Sequence, residues 1–250
     1  MSEIILETFG LTRHFGSLCA CDHVSIQVPK GQVRAVIGPN GAGKSTLMNL
    51  IINVTAPDEG RVVFDGKDIS KMPTHHISNI GMSKCFQITQ IFGSLTVFQN
   101  VRMSLIVEKK QIFSMRPVPD SYLREEIMEV LHYVGLQDQA DEIAKNLSYG
   151  DQRRLEIAIT LAKRPKLMIL DEPTAGVARA EGYELMRLIR DLKDRLDMTM
   201  LFIEHDMEIV WNYSDVITVM NLGAEVATGT PDEIRNNEFV QRAYLGGDEE

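Results

Sequence analysis

The chain is short of cysteine, of basic charge and of long apolar runs, and each shortage excludes something. Its three cysteines are an odd number, and Cys19 and Cys21 have neither zinc-finger nor thioredoxin spacing, so no disulfide framework is expected. Cys19, Cys21 and Cys85 are read instead as buried thiols. No stretch approaches the ~18 to 20 consecutive apolar residues of a membrane helix, the best runs being Leu167–Leu170 and Met200–Ile203. The chain is not expected to span a bilayer by itself. Its first residues, MSEIILETFGLTRHFG, lack the basic and apolar regions of an export signal, and Glu3 and Glu7 interrupt them, so a cytoplasmic location is expected. Lysine and arginine number 26 against 35 aspartates and glutamates, for a formal charge of −9. That balance argues against nonspecific attraction to nucleic acid or anionic lipid. No nucleic-acid partner is expected, and any membrane association should run through a protein partner. Low-complexity tracts, internal repeats and long Gly/Ser linkers are also missing.

What is present is the composition of a globular protein with a sizeable core: 250 residues, 44% apolar and 24% charged, enough for one large domain or two joined subdomains. Apolar and β-branched runs at Val24–Val28, Val33–Ile37 and Val62–Phe64, the last followed by the turn pair Asp65–Gly66, make the first quarter strand-rich. After Gly43 the period changes, and Leu47, Leu50, Ile51 and Val54 recur at the spacing of one helix face. From about Thr96 to Arg164 the pattern is helical, broken at Pro117–Val118–Pro119 and at Gly135, which predicts an inserted helical subdomain. Strand runs return at Leu167–Leu170, Met200–Ile203 and Val216–Val219, separated by helical stretches such as Glu181–Leu196. This alternation predicts a parallel sheet of the α/β kind. Asn221–Leu222–Gly223 reads as a turn, and Thr230–Pro231 as a helix start.

The strongest chemical signal is GPNGAGKST, residues Gly38, Pro39, Asn40, Gly41, Ala42, Gly43, Lys44, Ser45 and Thr46. It fits G-x-x-x-x-G-K-[ST] between an apolar strand and a helix, the context this phosphate-binding loop demands. Its glycines let the backbone fold into an anion nest, Lys44 brings a point charge to the β- and γ-phosphates, and Ser45 offers a hydroxyl to magnesium. The helix N-terminus adds partial positive charge to the same place. Further on, Leu167–Glu172 is an apolar strand ending in two adjacent carboxylates. Strand alternation sends neighbouring side chains to opposite faces, so the two acids cannot share one task unless the backbone turns. Asp171 would hold magnesium or its water, and Glu172 would be the general base. The plainer reading is a pair of solvated acids at a strand end.

Between these motifs lies Leu147–Ser148–Tyr149–Gly150–Asp151–Gln152, which resembles the LSGGQ signature of ATP-binding cassette (ABC) ATPases. In order between the Walker A and Walker B motifs, it identifies the chain as similar to that family over essentially all its residues. The resemblance implies a P-loop NTPase (RecA-like) core with an N-terminal antiparallel β region. One domain over 1–250 is expected, with 1–90 and 165–250 as the nucleotide-binding core and about 91–164 as the helical subdomain. ATP and Mg²⁺ are the implied ligands. Ser148 precedes a helix with an inward face of Leu155, Ala158, Ile159 and Ala162, and its hydroxyl, the Gly150 amide and the helix dipole could form a second anion site or only a cap. In the family two subunits pair head to tail, so each signature serine would serve ATP held by the partner's phosphate loop. Phe15 resembles the aromatic that stacks on adenine, or else is a core residue. Gln87 resembles the glutamine that reaches magnesium and the attacking water, and His205 the switch histidine that contacts the γ-phosphate.

Within the family, the strings LTRHFGSLCACDHVSIQV, CFQITQIFGSLTVFQNV, LSYGDQRRLEIA, FIEHDMEIV and GTPDEIRNNEFVQRAYLG resemble ATP-binding subunits of branched-chain or hydrophobic amino-acid importers. That implies integral-membrane permease subunits, a second ATP-binding subunit and an extracytoplasmic solute-binding protein as partners. A lipopolysaccharide-export ATPase or a cytosolic assembly ATPase are the alternatives the motifs leave open. One departure stands out: Ala175–Gly176–Val177–Ala178 puts alanine where many of these ATPases carry a polar D-loop side chain, so Ala178 cannot hydrogen-bond across to a second site. The segment Ile88, Ile91, Phe92, Leu95 and Val97 is read as a permease-docking surface, with a plain core role as the alternative.

Overall fold

The computed structural model describes residues 3–85, 91–108 and 123–242. The chain opens with four strands, β1 (Ile4–Phe15), β2 (Leu18–Val24), β3 (Gln27–Pro29) and β4 (Val33–Ile37), followed by helix α1 (Lys44–Ile51). A hairpin of β5 (Glu59–Phe64) and β6 (Lys67–Asp68), a single turn α2 (Thr74–Ile77) and strand β7 (Met82–Cys85) come next. Three helices follow: α3 (Val97–Glu108), α4 (Arg124–Val134) and α5 (Tyr149–Leu161). Strands and helices then alternate through β8 (Leu167–Asp171), α6 (Arg179–Arg195), β9 (Thr199–Ile203), α7 (Met207–Tyr213) and β10 (Val216–Asn221). The described chain closes with β11 (Ala224–Gly229), α8 (Pro231–Arg235) and α9 (Glu238–Val240).

The strands form two sheets. One is antiparallel, in the order β2-β1-β5-β6 with β3 also on β1. The other runs β11-β10-β4-β9-β8-β7, parallel from β10 to β7 with β11 antiparallel at its edge. Period-two alternation explains why the central strands read as unbroken apolar runs. Val36, Leu167, Ile169, Leu201 and Ile203 face a core shared with α1 and the antiparallel sheet. Ala35, Met168, Leu170, Met200 and Phe202 face a second core shared with α3 to α7. A sheet covered on both faces has no polar side to show. Arg34, buried within β4, ties the layers by donating to Gln27 O at 2.9 Å and Thr218 Oγ1 at 3.0 Å.

Several elements depart from the expectations. The run Val24–Val28 is divided between two strands that both pair with β1, β2 ending at Val24 and β3 starting at Gln27, and the Ser25–Ile26 break between them is held by Gly10 and Thr8 of β1. Helix α1 stops at Ile51, leaving Val54 outside it and exposed. Ile159 is half-buried, while Arg153, Glu156 and Thr160 are buried on α5, which is enclosed on more than its apolar face. Of the three thiols only Cys21 is buried, Cys19 and Cys85 being half-buried, and all three are free. The expected break at Pro117–Val118–Pro119 lies outside the described residues.

Candidate active site

Adjacent parallel strands β4, β9 and β8 all end on the same edge of the sheet, so the loops leaving Ile37, Ile203 and Asp171 are neighbours. This is where open parallel sheets place ligands. The phosphate loop starts on Gly38, where a Cβ would collide with Met220 O, and ends on Gly43 at φ 97°, where a Cβ would collide with Ala20 O. Both positions exclude any other residue and wedge the loop between β2 and the β10–β11 turn. Gly43 caps α1 with no side-chain hydrogen bond, and the first helical turn carries no acid. Its amide groups are therefore suited to an anion. Lys44 Nζ lies against the loop itself, donating to Gly38 O at 2.7 Å and Pro39 O at 3.1 Å. Burial lowers the pKa of its ammonium, and the charges of Glu172 and Asp171 act in the opposite sense. Ser45 is exposed at the start of α1, and Pro39, Asn40 and Gly41 are exposed along the loop.

The two carboxylates divide as alternation requires. Asp171 continues β8 on the α1 face, in the row of Leu167 and Ile169. Glu172 then adopts φ 51°, a left-handed conformation that a non-glycine residue rarely takes. That twist supplies the backbone turn the sequence demanded. Glu172 Oε1 sits 3.0 Å from His205 Nε2. A carboxylate beside an imidazole can accept a proton from water while the ring keeps it oriented. Asp171 Oδ2 pairs with Lys84 Nζ at 3.0 Å, while buried Oδ1 has no hydrogen-bond partner.

Three contacts escape sequence reasoning. Glu204, buried at the end of β9, accepts from Thr174 N at 2.9 Å and Oγ1 at 2.6 Å, and from His205 N at 3.1 Å. It clamps the loop after Glu172 to the loop carrying His205. Tyr149 OH donates to Ala175 O at 3.2 Å and accepts from Arg153 at 2.7 Å, joining the signature helix to the segment where Ala178 offers nothing. Lys84 is the third. Each is a charged or polar group placed beside an apolar strand or a motif, which is the available signal in the sequence.

Ser148 and Gly150 lie apart from this cluster. Ser148 caps α5, accepting from Asp151 N at 3.1 Å and donating to Asp151 Oδ2 at 2.8 Å. They line a cleft of about 240 Å³ whose walls include Arg154, Val177 and Glu181 and no residue of the phosphate loop. Phe15 ends β1, half exposed, with the Arg13 guanidinium 5.1 Å from its ring centre, so it is not a core residue. Gln87 and Ile88 lie outside the described residues. Phe92 is exposed, whereas Val97 is fully buried and Ile91 packs against the core, so the apolar segment beside Gln87 is only partly a surface.

Residues 21–175 match the ABC transporter family, and residues 226–250 match the branched-chain amino acid ATP-binding cassette transporters. This chain belongs to the ABC transporter family. The cassette is 39% identical over 253 residues to the high-affinity branched-chain amino acid transport ATP-binding protein BraF of Pseudomonas aeruginosa, covering 98% of this chain and 99% of the relative. It is 37% identical over 256 residues to LivG of Escherichia coli K12, a protein of the same description, with the same coverage. Among solved structures, the ADP conformation of MJ1267, an ATP-binding cassette of an ABC transporter, superposes with a TM-score of 0.88 at 33% identity, covering 98% of this chain and all of that one. The cassette therefore has the P-loop NTPase fold, binds nucleotide and is an ATPase. No helix among its described residues is long and apolar enough to cross a membrane.

Proposed function

We propose that this cassette hydrolyses ATP to drive import of branched-chain or related amino acids, at the cytoplasmic face of the membrane. Permease subunits, a second ATP-binding subunit and a solute-binding protein would complete the system. The observation that carries the catalytic part is the convergence of the phosphate loop, Asp171, Glu172 and His205 on one sheet edge, with Ser148 and Gly150 on a separate cleft. A site divided in this way is completed by a second ATP-binding subunit placed head to tail, a copy of this chain or a related one. The amino-acid part rests on the relatives' stated substrates and on the match over residues 226–250.

In this reading Lys44, the loop amides and the α1 N-terminus hold the phosphates, and Phe15 stacks on adenine. The residues present fit Mg²⁺: a buried carboxylate oxygen without a partner, Asp171 Oδ1, and the Ser45 hydroxyl are hard oxygen ligands of the kind magnesium takes. When bound, the ion would neutralise charge on the phosphate oxygens. Glu172 takes the proton of the attacking water and His205 holds that carboxylate in place and reaches toward the γ-phosphate. Gln87 would link magnesium and water to the docking segment, where Phe92 is the exposed anchor for a permease helix. Residues 1–90 and 165–250 act as the nucleotide core and 91–164 as the helical subdomain that moves with the permease.

The test is reconstitution of the cassette with its permease and binding protein in liposomes. ATPase activity should rise with leucine, isoleucine or valine. A complex stimulated by a chemically different solute class, and not by these, would overturn the amino-acid assignment.

A further inference from the structure

Strand β7 carries a charge into the interior beside the catalytic edge. Its register on β8 pairs Lys84 with Ile169 and Cys85 with Leu170, so Lys84 points to the same face as Ile169 and Asp171. There its ammonium meets Asp171 Oδ2 at 3.0 Å and Asn49 Oδ1 of α1 at 3.2 Å. The Lys84 and Asp171 side chains are only 5% and 8% exposed. Both elements the ammonium contacts belong to the site: α1 grows from the phosphate loop, and β8 ends in Asp171.

A lone carboxylate in this position would be costly to desolvate, and a lone lysine equally so, which makes the pair mutually dependent. The pair also has a directional consequence. Lys84 occupies one oxygen of Asp171 and leaves Oδ1 as the open one. Among the charged groups placed at this edge, Lys44 and Lys84 stand against the carboxylates Asp171, Glu172 and Glu204, and Lys84 is the cation in contact with Asp171. A divalent cation arriving alone meets the Lys84 ammonium beside its ligand, and that repulsion offsets part of the attraction of Asp171. Nucleotide phosphates shift that balance strongly negative.

We infer that Lys84 is the standing counter-ion of Asp171, a positioning residue that aims Oδ1 and keeps the cassette from holding a divalent cation until nucleotide is present. This rests on the reading of Asp171 as the magnesium carboxylate. The chemistry of the lysine is then thermodynamic gating: metal and nucleotide bind with positive coupling because each supplies charge that the other needs.

The probe is Mn²⁺, followed by electron paramagnetic resonance on full-length protein with and without a non-hydrolysable ATP analogue. Wild type should bind Mn²⁺ weakly alone and tightly with nucleotide. Lys84→Met, which keeps the aliphatic stem, should bind Mn²⁺ without nucleotide at least about tenfold more tightly than wild type, as loss of a nearby positive charge requires. Lys84→Arg should behave as wild type. Nucleotide-free affinity unchanged in Lys84→Met overturns the inference and leaves the lysine a purely structural partner. Should Lys84→Met fail to fold, Lys84→Gln keeps a donor to Oδ2 without the charge and is read the same way. Asp171→Asn is the separate control: if it leaves Mn²⁺ affinity in the nucleotide complex unchanged, the metal role of Asp171 fails, whatever Lys84 does.

Discussion

Replacing Glu172 by glutamine separates chemistry from binding and from stability, and the structure sets the size of each effect. Glutamine keeps an oxygen acceptor for His205 at the same reach and occupies the same left-handed φ, so neither the 3.0 Å contact nor the backbone twist is lost. The pair is partly exposed, 47% at His205 and 21% at Glu172. Any ion-pair contribution is then at most about 1 kcal/mol, a shift in melting temperature of roughly 2–4 °C for a chain of this size. Loss of the general base is far larger, ~10² to 10⁴ in rate, or roughly 3–5 kcal/mol in activation free energy. Phosphate release under saturating ATP should fall by that factor, while binding of a fluorescent ATP analogue and the melting temperature stay near wild type. Lys44→Ala should do the reverse and lose nucleotide binding first, because phosphate charge is left uncompensated. Hydrolysis by Glu172→Gln at the wild-type rate would refute the assignment, and a large fall in melting temperature would show that the residue is structural.

Four further outcomes follow from the same geometry. Phe15→Ala should weaken ATP by ~1–3 kcal/mol, the usual worth of a base stacked on an aromatic, and Phe15→Trp should restore it; equal ATP affinity in all three proteins removes Phe15 from the site. Glu172→Gln protein should elute as a dimer with ATP and a monomer with ADP, and identical elution at saturating nucleotide counts against the composite site. Phe202 is fully buried between the sheet and the helices, so Phe202→Ala should cost about 3–5 kcal/mol in denaturant unfolding. The Cys21 thiol is pushed up to about 12, by burial first and then by Cys19 and Asp22. A raised thiol pKa stabilises the fold fully below the unfolded value of about 8.5 and is lost as pH rises from there toward the folded value. Cys21 should therefore resist alkylation at pH 8 in the native protein and react on unfolding, as mass spectrometry of labelled peptides would show.

Motifs built from contiguous residues were legible in the sequence. The phosphate loop reads directly because nine adjacent residues must satisfy one backbone shape, and the helix start at Thr230 because the capping box is local: Thr230 Oγ1 accepts from Glu233 N, and the Glu233 carboxylate returns a bond to Thr230 N. The buried strands read as apolar runs because both sheet faces are covered. Less was legible where the partner is remote. The run Val24–Val28 looked continuous because the break at Ser25–Ile26 is held by Gly10 and Thr8, partners remote in the chain. The buried charges Lys84, Glu204 and Arg153 gave no periodic signal, since a buried cation or acid is interpretable only once its partner is known.

Local chemistry therefore determined which residues could bind phosphate, and period determined which strands would be buried. Tertiary structure alone decided how the site divides. Strand order placed Asp171, Glu172 and His205 around the phosphate loop although they are far apart in the chain, and it set the signature serine on a different cleft. The same order brought Lys84 of an edge strand against Asp171 of its neighbour. These pairings depend on sheet register and on which face each side chain takes, quantities fixed by the packing of both cores together and by no single segment.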